Sequence, residues 1–307
     1  MARDMTVFRL GTRGSALALV QAAAVRSALC AAHGWGEDRV ELVVIRTTGD
    51  RVQDRALAEI GGKALWTKEL DRALLAGEVD ACVHSMKDVE TIRPAAIRLA
   101  ATLPRADVRD RLIGAASLDA LPQGARIGSS SPRRRAQLLR RRPDVEVVLF
   151  RGNVGTRLAK LASGEVDATL LAAAGLDRLG RSDVGSAIDP DVMLPAPAQG
   201  AVGIEIRTGD VAAMTAVTAI DHAATHACVL AERALLAGLS AGCHSPVGAL
   251  ATVEGQSLRL RAELLSEDGD ADIAGERSGD DPDRLGRALA AELLERAPAT
   301  VRRLFAA

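Results

Sequence analysis

The chain has 307 residues, of which 48% are hydrophobic and 26% charged, and this length allows two or three globular domains. Its 39 basic and 40 acidic residues give a net charge of −1, which predicts no binding to nucleic acid or to an anionic membrane. The sequence has no apolar run of the ~18 residues that a membrane span requires and no apolar signal segment. We therefore expect a soluble, cytoplasmic protein with no membrane partner.

The predicted elements follow an α/β pattern over the first 200 residues, because short β-branched runs alternate with longer segments of helical period. The predicted strands are 40–46, 79–84, 125–129, 145–150 and 166–172, and the predicted helices are 67–76, 132–142 and 155–163. This alternation predicts a largely parallel sheet.

A short internal sequence repeat indicates two similarly built α/β domains. LLAGEVDAC at 74–82 recurs as LASGEVDAT at 161–169, each time as a helix end, a glycine and the start of a strand. Gly-Glu-Val-Asp could also be only a favoured connector between a helix and a strand. Proline and charge at 103–110, and LPAPAQGAV at 194–202, predict two crossings between the domains.

The predicted limits are 1–103 with 202–221 for the first domain and 108–196 for the second, which is inserted into the first. A small α+β domain at 225–307 follows, with a helix to Ala237, a Gly/Ser/Pro-rich loop, strands at 247–253 and 257–265, an acidic turn, and a helix from Pro282.

Three turns between a strand and a helix share one construction, in which small or hydroxyl residues and an arginine open the helix. They lie at 10–22, 127–139 and 150–161, and they carry Arg13, Arg133, Arg134, Arg151 and Arg157. Free backbone N–H groups and the helix dipole make such turns suitable for anions, and Ser131 is a suitable cap for a helix that begins at Pro132. Any single arginine could instead be a solvated surface residue. Three such turns together predict a ligand with several separated acidic groups.

HSMKDV at 84–89 follows a predicted strand directly, which places Lys87 and Asp88 at the end of a sheet where α/β proteins bind ligands. A carboxylate there can donate a proton or stabilise a developing cation. Asp88 could equally be the N-cap of the next segment.

Cys243 lies in the loop SAGCHSPVGALA at 240–251, where it could be a nucleophile, a covalent attachment point or an inert small side chain. The four cysteines, at 30, 82, 228 and 243, form no CxxC pair, so we expect no disulfide framework. His222, His226 and Cys228 form HxxxHxC, but no acidic partner stands at metal-motif spacing, so we expect no metal site.

Taken together, the motifs resemble the hydroxymethylbilane synthase (porphobilinogen deaminase) family along nearly the whole chain. The matching segments are TRGSALALVQA, TTGD at 47–50, GGKALWTKEL at 61–70, HSMKDV, PRADVRDRLI at 104–113, SSSPRRR, RGNVGTRL, PAPAQGAVGIE at 195–205 and GCHSPVGA. The resemblance implies two α/β domains like periplasmic solute-binding domains, plus a small C-terminal α+β domain. It also implies a monomeric transferase that joins four porphobilinogen molecules into a linear tetrapyrrole for haem biosynthesis.

The same resemblance implies a role for each site residue. Asp88 would assist the loss of ammonia from porphobilinogen and stabilise the cations that follow, and Cys243 would hold a dipyrromethane cofactor through a thioether. The residues implied to bind cofactor carboxylates or line its site are Lys87, Ser131, Arg133, Arg134, Arg157 and Gly175. Arg13, Ser15 and Arg151 would bind substrate.

The sequence departs from the family pattern at Glu59, where many relatives have Lys, and at Glu90, where Pro is usual. Pro132 replaces a common Leu, and Trp66 a common Phe. Two other classes of protein remain open at this stage: a solute receptor or effector domain with the same architecture, and a transferase that uses Cys243 as a transient nucleophile.

Overall fold

The structure is a computed structural model that describes residues 7–46 and 67–305. The motif TTGD, most of GGKALWTKEL, and the departures at Glu59 and Trp66 lie outside the described residues. The chain divides into two compact units, Met1–Ala106 with Ala201–His226, and Asp107–Gly200 with Ala227–Ala307. The predicted limits of three domains are not tested by this division and stay a prediction.

The first unit is built on a five-stranded sheet in the order β2-β1-β3-β10-β4. The strands are β1 (Phe8–Arg13), β2 (Val40–Ile45), β3 (Ala81–Ser85), β4 (Ile97–Thr102) and β10 (Val202–Arg207). Strand β1 is parallel to β2 and β3, whereas β10 is antiparallel to β3 and β4. The sheet is therefore mixed, because the returning chain inserts β10 between two strands of the opposite direction.

Helices α1 (Ala16–His33), α2 (Lys68–Leu75) and α6 (Val211–Thr218) complete the first unit. Ser15 caps α1 by accepting a hydrogen bond from the N–H of Ala18, and Gly34 ends it in the left-handed conformation. By length and composition alone, α1 could cross a membrane. Its Ala22, Val25 and Leu29 are fully buried in the hydrophobic core of this unit, so α1 has the packing of a core helix.

The second unit contains a five-stranded sheet in the order β7-β6-β8-β5-β9. Its strands are β5 (Asp110–Ile113), β6 (Arg126–Gly128), β7 (Glu146–Val148), β8 (Ala168–Ala172) and β9 (Ser186–Ala187), with helices α3 (Pro132–Arg141), α4 (Val154–Ala162) and α5 (Ala173–Arg178). Strand β6 is parallel to β7 and β8, and β5 is antiparallel to β8 and β9. This sheet is mixed as well, so the prediction of largely parallel sheets was only partly right.

The same unit also contains an antiparallel sheet of three strands, β11 (Val247–Glu254), β12 (Ser257–Leu265) and β13 (Asp272–Gly279). Helices α7 (Ala223–Gly238, of which the part from Ala227 belongs to this unit), α8 (Pro282–Arg296) and α9 (Ala299–Arg302) accompany it. A shared hydrophobic core joins the sheet to α7 and α8 through residues such as Leu235, Leu260 and Leu289. The α/β class and the additional C-terminal layer of sheet and helices are confirmed.

Strand β13 was missed by the sequence analysis, which expected an acidic turn before the last helix. Its sequence, DIAGERSG, is polar and contains two glycines, and most of its residues are exposed or half-buried. Such a strand lacks the β-branched signal of a buried strand. Pairing with β12 over its whole length determines its conformation instead.

Candidate active site

Two neighbouring parallel strands of the first unit end at one small pocket. Strand β1 leads through Arg13 and Gly14 to the cap Ser15 of α1, and β3 leads into a single 3-10 turn at Met86–Asp88. Arg13, Ser15 and Asp88 line this pocket together with Gln21, Thr67 and His84. The ends of the two strands therefore bring three of the predicted site residues to one pocket. Arg13 and Asp88 are 75 residues apart in the sequence.

The turn that carries Asp88 is held in place by a buried side chain and by hydrogen bonds of its first residues. Met86 is buried, and its N–H donates to the carbonyl of Ala201 at 3.1 Å. Ser85 exchanges hydrogen bonds with the side-chain amide of Gln21 on α1, at 2.8 and 3.2 Å. Residues 89–96 after the turn form no helix. Asp88 therefore does not act as the N-cap of a following helix, which was the alternative left open by the sequence.

A buried network of charges lies beneath the pocket and is centred on Arg93. Its guanidinium donates to Glu205 at 2.7 and 2.9 Å, to Glu90 at 2.8 Å, and to Asp71. His84 Nε2 lies 3.2 Å from Glu205 Oε2. Burial acts to raise the pKa of Glu205, but its contact with His84 and the charge of Arg93 outweigh this effect and lower that pKa to about 2.

Glu90, one of the departures from the family pattern, has a definite structural place in this network. Its carboxylate accepts from the hydroxyl of Thr67 at 2.7 and 2.9 Å and from Arg93 at 2.8 Å. Thr67 precedes α2 and lines the pocket. Glu90 therefore fixes one wall of the pocket, which a proline at that position could not do through a side-chain acceptor.

In the second unit, α3 begins at the predicted position. Ser131 caps it by accepting from the N–H of Arg134 at 3.4 Å, and Pro132 is its first residue. Arg133 and Arg134 are buried and both bind Asp110 of β5, with shortest distances of 2.7 Å. Burial acts to raise the pKa of Asp110, but the two guanidinium charges hold it well below its usual range. Burial lowers the pKa of Arg133.

The turn before α4 supplies a second set of polar groups. Asn153 caps the helix by accepting from the N–H of Thr156 at 2.9 Å, and Arg157 Nε donates to the carbonyl of Gly152 at 2.9 Å. Arg151 Nη1 is buried, and the described residues provide no hydrogen-bond acceptor for it. The same holds for Arg133 Nε. Buried cationic donors of this kind are suited to an anionic acceptor.

Gly175 is buried within α5, which directly follows β8. Arg178, three residues further on, was not selected by the sequence analysis. Its Nη2 donates to the carbonyl of Gly200 at 2.7 Å, and burial lowers its pKa. The pattern that selected Arg133, an arginine at the opening of a helix, does not select Arg178, because Arg178 is the last residue of α5.

Cys243 is the exposed member of the four cysteines, none of which forms a disulfide within the described residues. Its loop is closed by mutual hydrogen bonds between Gly242 and Ser245, at 3.0 and 3.2 Å. Cys82 and Cys228 are buried, and burial raises the pKa of Cys82 well above its usual value. Cys243 is thus far better placed for covalent chemistry than the two buried thiols.

The histidines of HxxxHxC take part in local bonds near the start of α7. His222 Nδ1 lies 2.8 Å from the Thr225 hydroxyl, and His226 Nδ1 lies 3.0 Å from both carboxylate oxygens of Asp221. Within residues 7–46 and 67–305, no group of three or more His, Cys, Asp or Glu residues has an arrangement that could hold a metal ion.

Comparison with known proteins assigns both parts of the chain to one family. Residues 8–215 match the family model described as porphobilinogen deaminase, dipyromethane cofactor binding domain, and residues 226–295 match the porphobilinogen deaminase C-terminal domain. The chain is 56% identical to porphobilinogen deaminase of Sphingopyxis alaskensis, over 97% of this chain and 96% of that protein. It is 53% identical to porphobilinogen deaminase of Paracoccus denitrificans, over 95% of each.

Among solved structures, substrate-binding domain 2 of Lactococcus lactis GlnP in its open conformation aligns with 71% of this chain and 88% of its own, at 11% identity and a TM-score of 0.43. No conclusion about function follows from a likeness of that size. The two family models and the two relatives are decisive, because they span nearly all of the sequence. The chain belongs to the porphobilinogen deaminase family.

Proposed function

We propose that Asp88 and Cys243 carry the reaction of this chain, which is the hydroxymethylbilane synthase reaction of its family. In this reaction four porphobilinogen molecules are joined head to tail on a dipyrromethane primer, and ammonia is released. The observation that carries the proposal is the pocket of the first unit, in which Asp88 shares a wall with Arg13 and Ser15. It combines one carboxylate for the chemistry with donors for the carboxylates of the substrate.

The donor groups of the second unit suit a cofactor with acetate and propionate side chains. Buried Arg151 Nη1 and Arg133 Nε have no acceptor among the described residues, and each would gain one from a carboxylate. The first turns of α3 and α4 add backbone N–H groups and the positive ends of two helix dipoles. We assign cofactor binding to Lys87, Ser131, Arg133, Arg134, Arg157 and Gly175, and the thioether to Cys243. When bound, the cofactor supplies the pyrrole carbon to which the first substrate is joined.

Arg133 and Arg134 also have a structural task that the sequence did not show. Their bonds to Asp110 use Nη2 of Arg133 and both Nε and Nη2 of Arg134. The guanidinium groups are therefore fixed before any ligand binds, so a carboxylate that reaches them does not have to order two long side chains.

Asp88 acts where positive charge develops. The aminomethyl group leaves from its ammonium form, so the electron pair of the carbon–nitrogen bond departs with ammonia and the substrate carbon becomes cationic. A carboxylate beside that carbon stabilises the transition state more than the ground state. Arg13 and Ser15, with Arg151, bind substrate carboxylates whose charge does not change in the reaction. Their binding energy therefore lowers the substrate concentration that is needed rather than the chemical barrier.

We further assign the chain to the cytoplasm as a monomer. The four cysteines form no disulfide within the described residues, and this is usual in a reducing compartment. Size-exclusion chromatography with light scattering tests the monomeric state, and a mass near twice the 32.0 kDa of the chain would contradict it.

Intact-mass measurement tests the attachment residue. Purified wild-type chain should carry the mass of two pyrrole units, and Cys243→Ser should lack it while remaining folded, because the loop residue is exposed. Cys30→Ser, a change at a half-buried thiol of the first unit, is the matched control and should keep the adduct. A normal adduct on Cys243→Ser would contradict the assignment, and an unmodified wild type would favour a receptor or a transient nucleophile.

A further inference from the structure

Glu263 is a buried carboxylate to which the proposed reaction gives no role. It lies on β12, and among the described residues its carboxylate binds two side chains, both on α3. Gln137 Nε2 donates to its Oε1 at 2.5 Å, and Arg140 Nη2 donates to its Oε2 at 2.8 Å. Its side chain is 6% exposed. A buried carboxylate of this kind is costly unless its bonds are made, so its geometry is tightly determined.

A continuous path of side-chain hydrogen bonds leads from Glu263 to the arginines of α3. The other end of the Gln137 amide, Oε1, accepts from Arg133 Nη1 at 2.8 Å, and Arg133 Nη2 donates to Asp110 at 2.7 Å. Glu263 and the carbonyl of Leu194, which lies 2.9 Å from Gln137 Nε2, together set which way this amide faces, because both can only accept and so bind the NH₂ end. The carbonyl end is then directed at Arg133.

The backbone around Glu263 connects the same point to the loop of Cys243. Glu263 pairs with Gly248 across β11 and β12, and β11 begins four residues after Cys243. A Cβ atom at Gly248 would lie only 3.1 Å from Glu263 Oε1. The turn after β12 also lies against α3, where a Cβ at Gly269 would overlap the carbonyl of Ala136.

We infer that Glu263 is a positioning residue: through Gln137 it fixes Arg133 relative to the loop that carries Cys243. The inference rests on the proposed function, in which Cys243 holds the cofactor and Arg133 binds its carboxylates. Loss of the acceptor at Glu263 leaves Gln137 Nε2 with only the Leu194 carbonyl as acceptor among the described residues, so the amide oxygen that accepts from Arg133 Nη1 is less firmly held. Assembly of the cofactor on the apo chain is then slowed, although the fold is kept.

The test is the rate at which apo chain gains the two-pyrrole adduct from added porphobilinogen, followed by intact mass at a temperature where every variant is folded. Glu263→Leu should load about tenfold more slowly, because a displaced binding group costs rate at the reacting centre. Glu263→Gln keeps an acceptor for Gln137 and should load within about twofold of wild type. Asp272→Asn is the matched control: Asp272 also binds Arg140, at 3.1 Å, but lies on β13 outside the hydrogen-bond path from Glu263 through Gln137 to Arg133, so the loading rate of this variant should not change.

A double-mutant cycle separates positioning from simple stabilisation. Gln137→Leu interrupts the same path while Glu263 stays in place, so it should slow loading to a similar extent, and the double variant with Glu263→Leu should be no slower than either single variant. If Glu263→Leu proves unstable, Gln137→Leu and Glu263→Gln still give the comparison. In the loaded fraction, kcat and KM of Glu263→Leu should be close to those of wild type, since the path acts on assembly.

Failure of the proposed function and failure of the inference about Glu263 give different results. A wild-type chain that gains no adduct would contradict the proposed function, and the inference would fall with it. If wild type and Glu263→Leu load equally fast, the inference is wrong but the proposed function stands. The same holds if the effects of Glu263→Leu and Gln137→Leu on the loading rate are additive.

Discussion

At the scale of single residues, Asp88 carries the most specific prediction. Asp88→Asn keeps the shape of the side chain but removes the charge, so turnover should fall on the order of 10²-fold or more, as when one preorganised transition-state group is lost. Asp88→Glu should retain measurable activity, and enzyme–substrate intermediates should accumulate because the charge is displaced. Steady-state rates with porphobilinogen and native gels of the intermediates measure both effects.

The matched control for Asp88 is Glu41→Gln, the same loss of charge at an exposed position on β2. It should leave turnover unchanged. A near-native rate for Asp88→Asn would show that the carboxylate is structural and that the catalytic group is elsewhere in the chain.

Glu205 gives a prediction about pH and stability. Its pKa in the folded chain is about 2, below the ordinary 4.5, so folding favours the ionised form. Its contribution, about 3 kcal/mol from this shift, is fully present above pH 4.5 and is lost as the pH falls toward 2. Urea unfolding should therefore show wild type more stable than Glu205→Gln at pH 7, with a difference that narrows at pH 3. A difference that stays constant between these pH values would contradict this account.

At the scale of elements, the crossing of α7 and α8 depends on close approach of their backbones. A Cβ at Gly286 of α8 would lie 2.6 Å from the backbone nitrogen of Leu235 on α7 and 2.7 Å from Cβ of Ala234. Gly→Ala inside a helix normally stabilises by about 1 kcal/mol. Gly286→Ala should instead destabilise by about 2 kcal/mol, because α8 has to move away from α7. Denaturant unfolding monitored by circular dichroism measures the change.

Gly155→Ala on α4 is the control for this reversal of sign. A Cβ there meets only Asn153 Oδ1, at an ordinary 3.4 Å, so the substitution should stabilise by roughly 0.5 kcal/mol. If Gly286→Ala also stabilised the chain, the two helices would be less closely packed than the structure shows.

At the scale of the whole molecule, the cofactor should stabilise the fold. It binds the folded chain through several carboxylates, and a ligand that binds only the native state shifts unfolding to higher temperature. The apo form should therefore melt at a lower temperature than the loaded form and be cleaved faster by trypsin at its many arginines. Cys243→Ser should behave like apo wild type. Equal melting temperatures of apo and loaded wild type would contradict a cofactor held by multiple ion pairs.

Features that depend on short stretches of chain could be predicted from the amino-acid sequence. Ser131 was expected to cap a helix starting at Pro132, and it does, because a cap needs only a side-chain oxygen and an N–H three residues away. The α/β class followed from the period of apolar residues, and the family followed from motifs in a fixed order. The placement of Cys243 in a loop followed from the glycine and proline around it.

Contacts between distant segments set which of the expected residues share a site and what else holds them, and these contacts could not be predicted from the sequence. The sequence predicts that Arg133 and Arg134 bind ligand, but it does not predict their pairing with Asp110. That pairing joins a helix to a strand, between residues at least 23 apart in the sequence. Strand β10 lies antiparallel between β3 and β4 because the chain returns from the second unit, which no local pattern encodes. The contact between Gln137 and Glu263 spans 126 residues. Hydrophobic period, caps and turns act over a few residues, whereas a buried charge finds its partner only when distant segments pack and water is excluded.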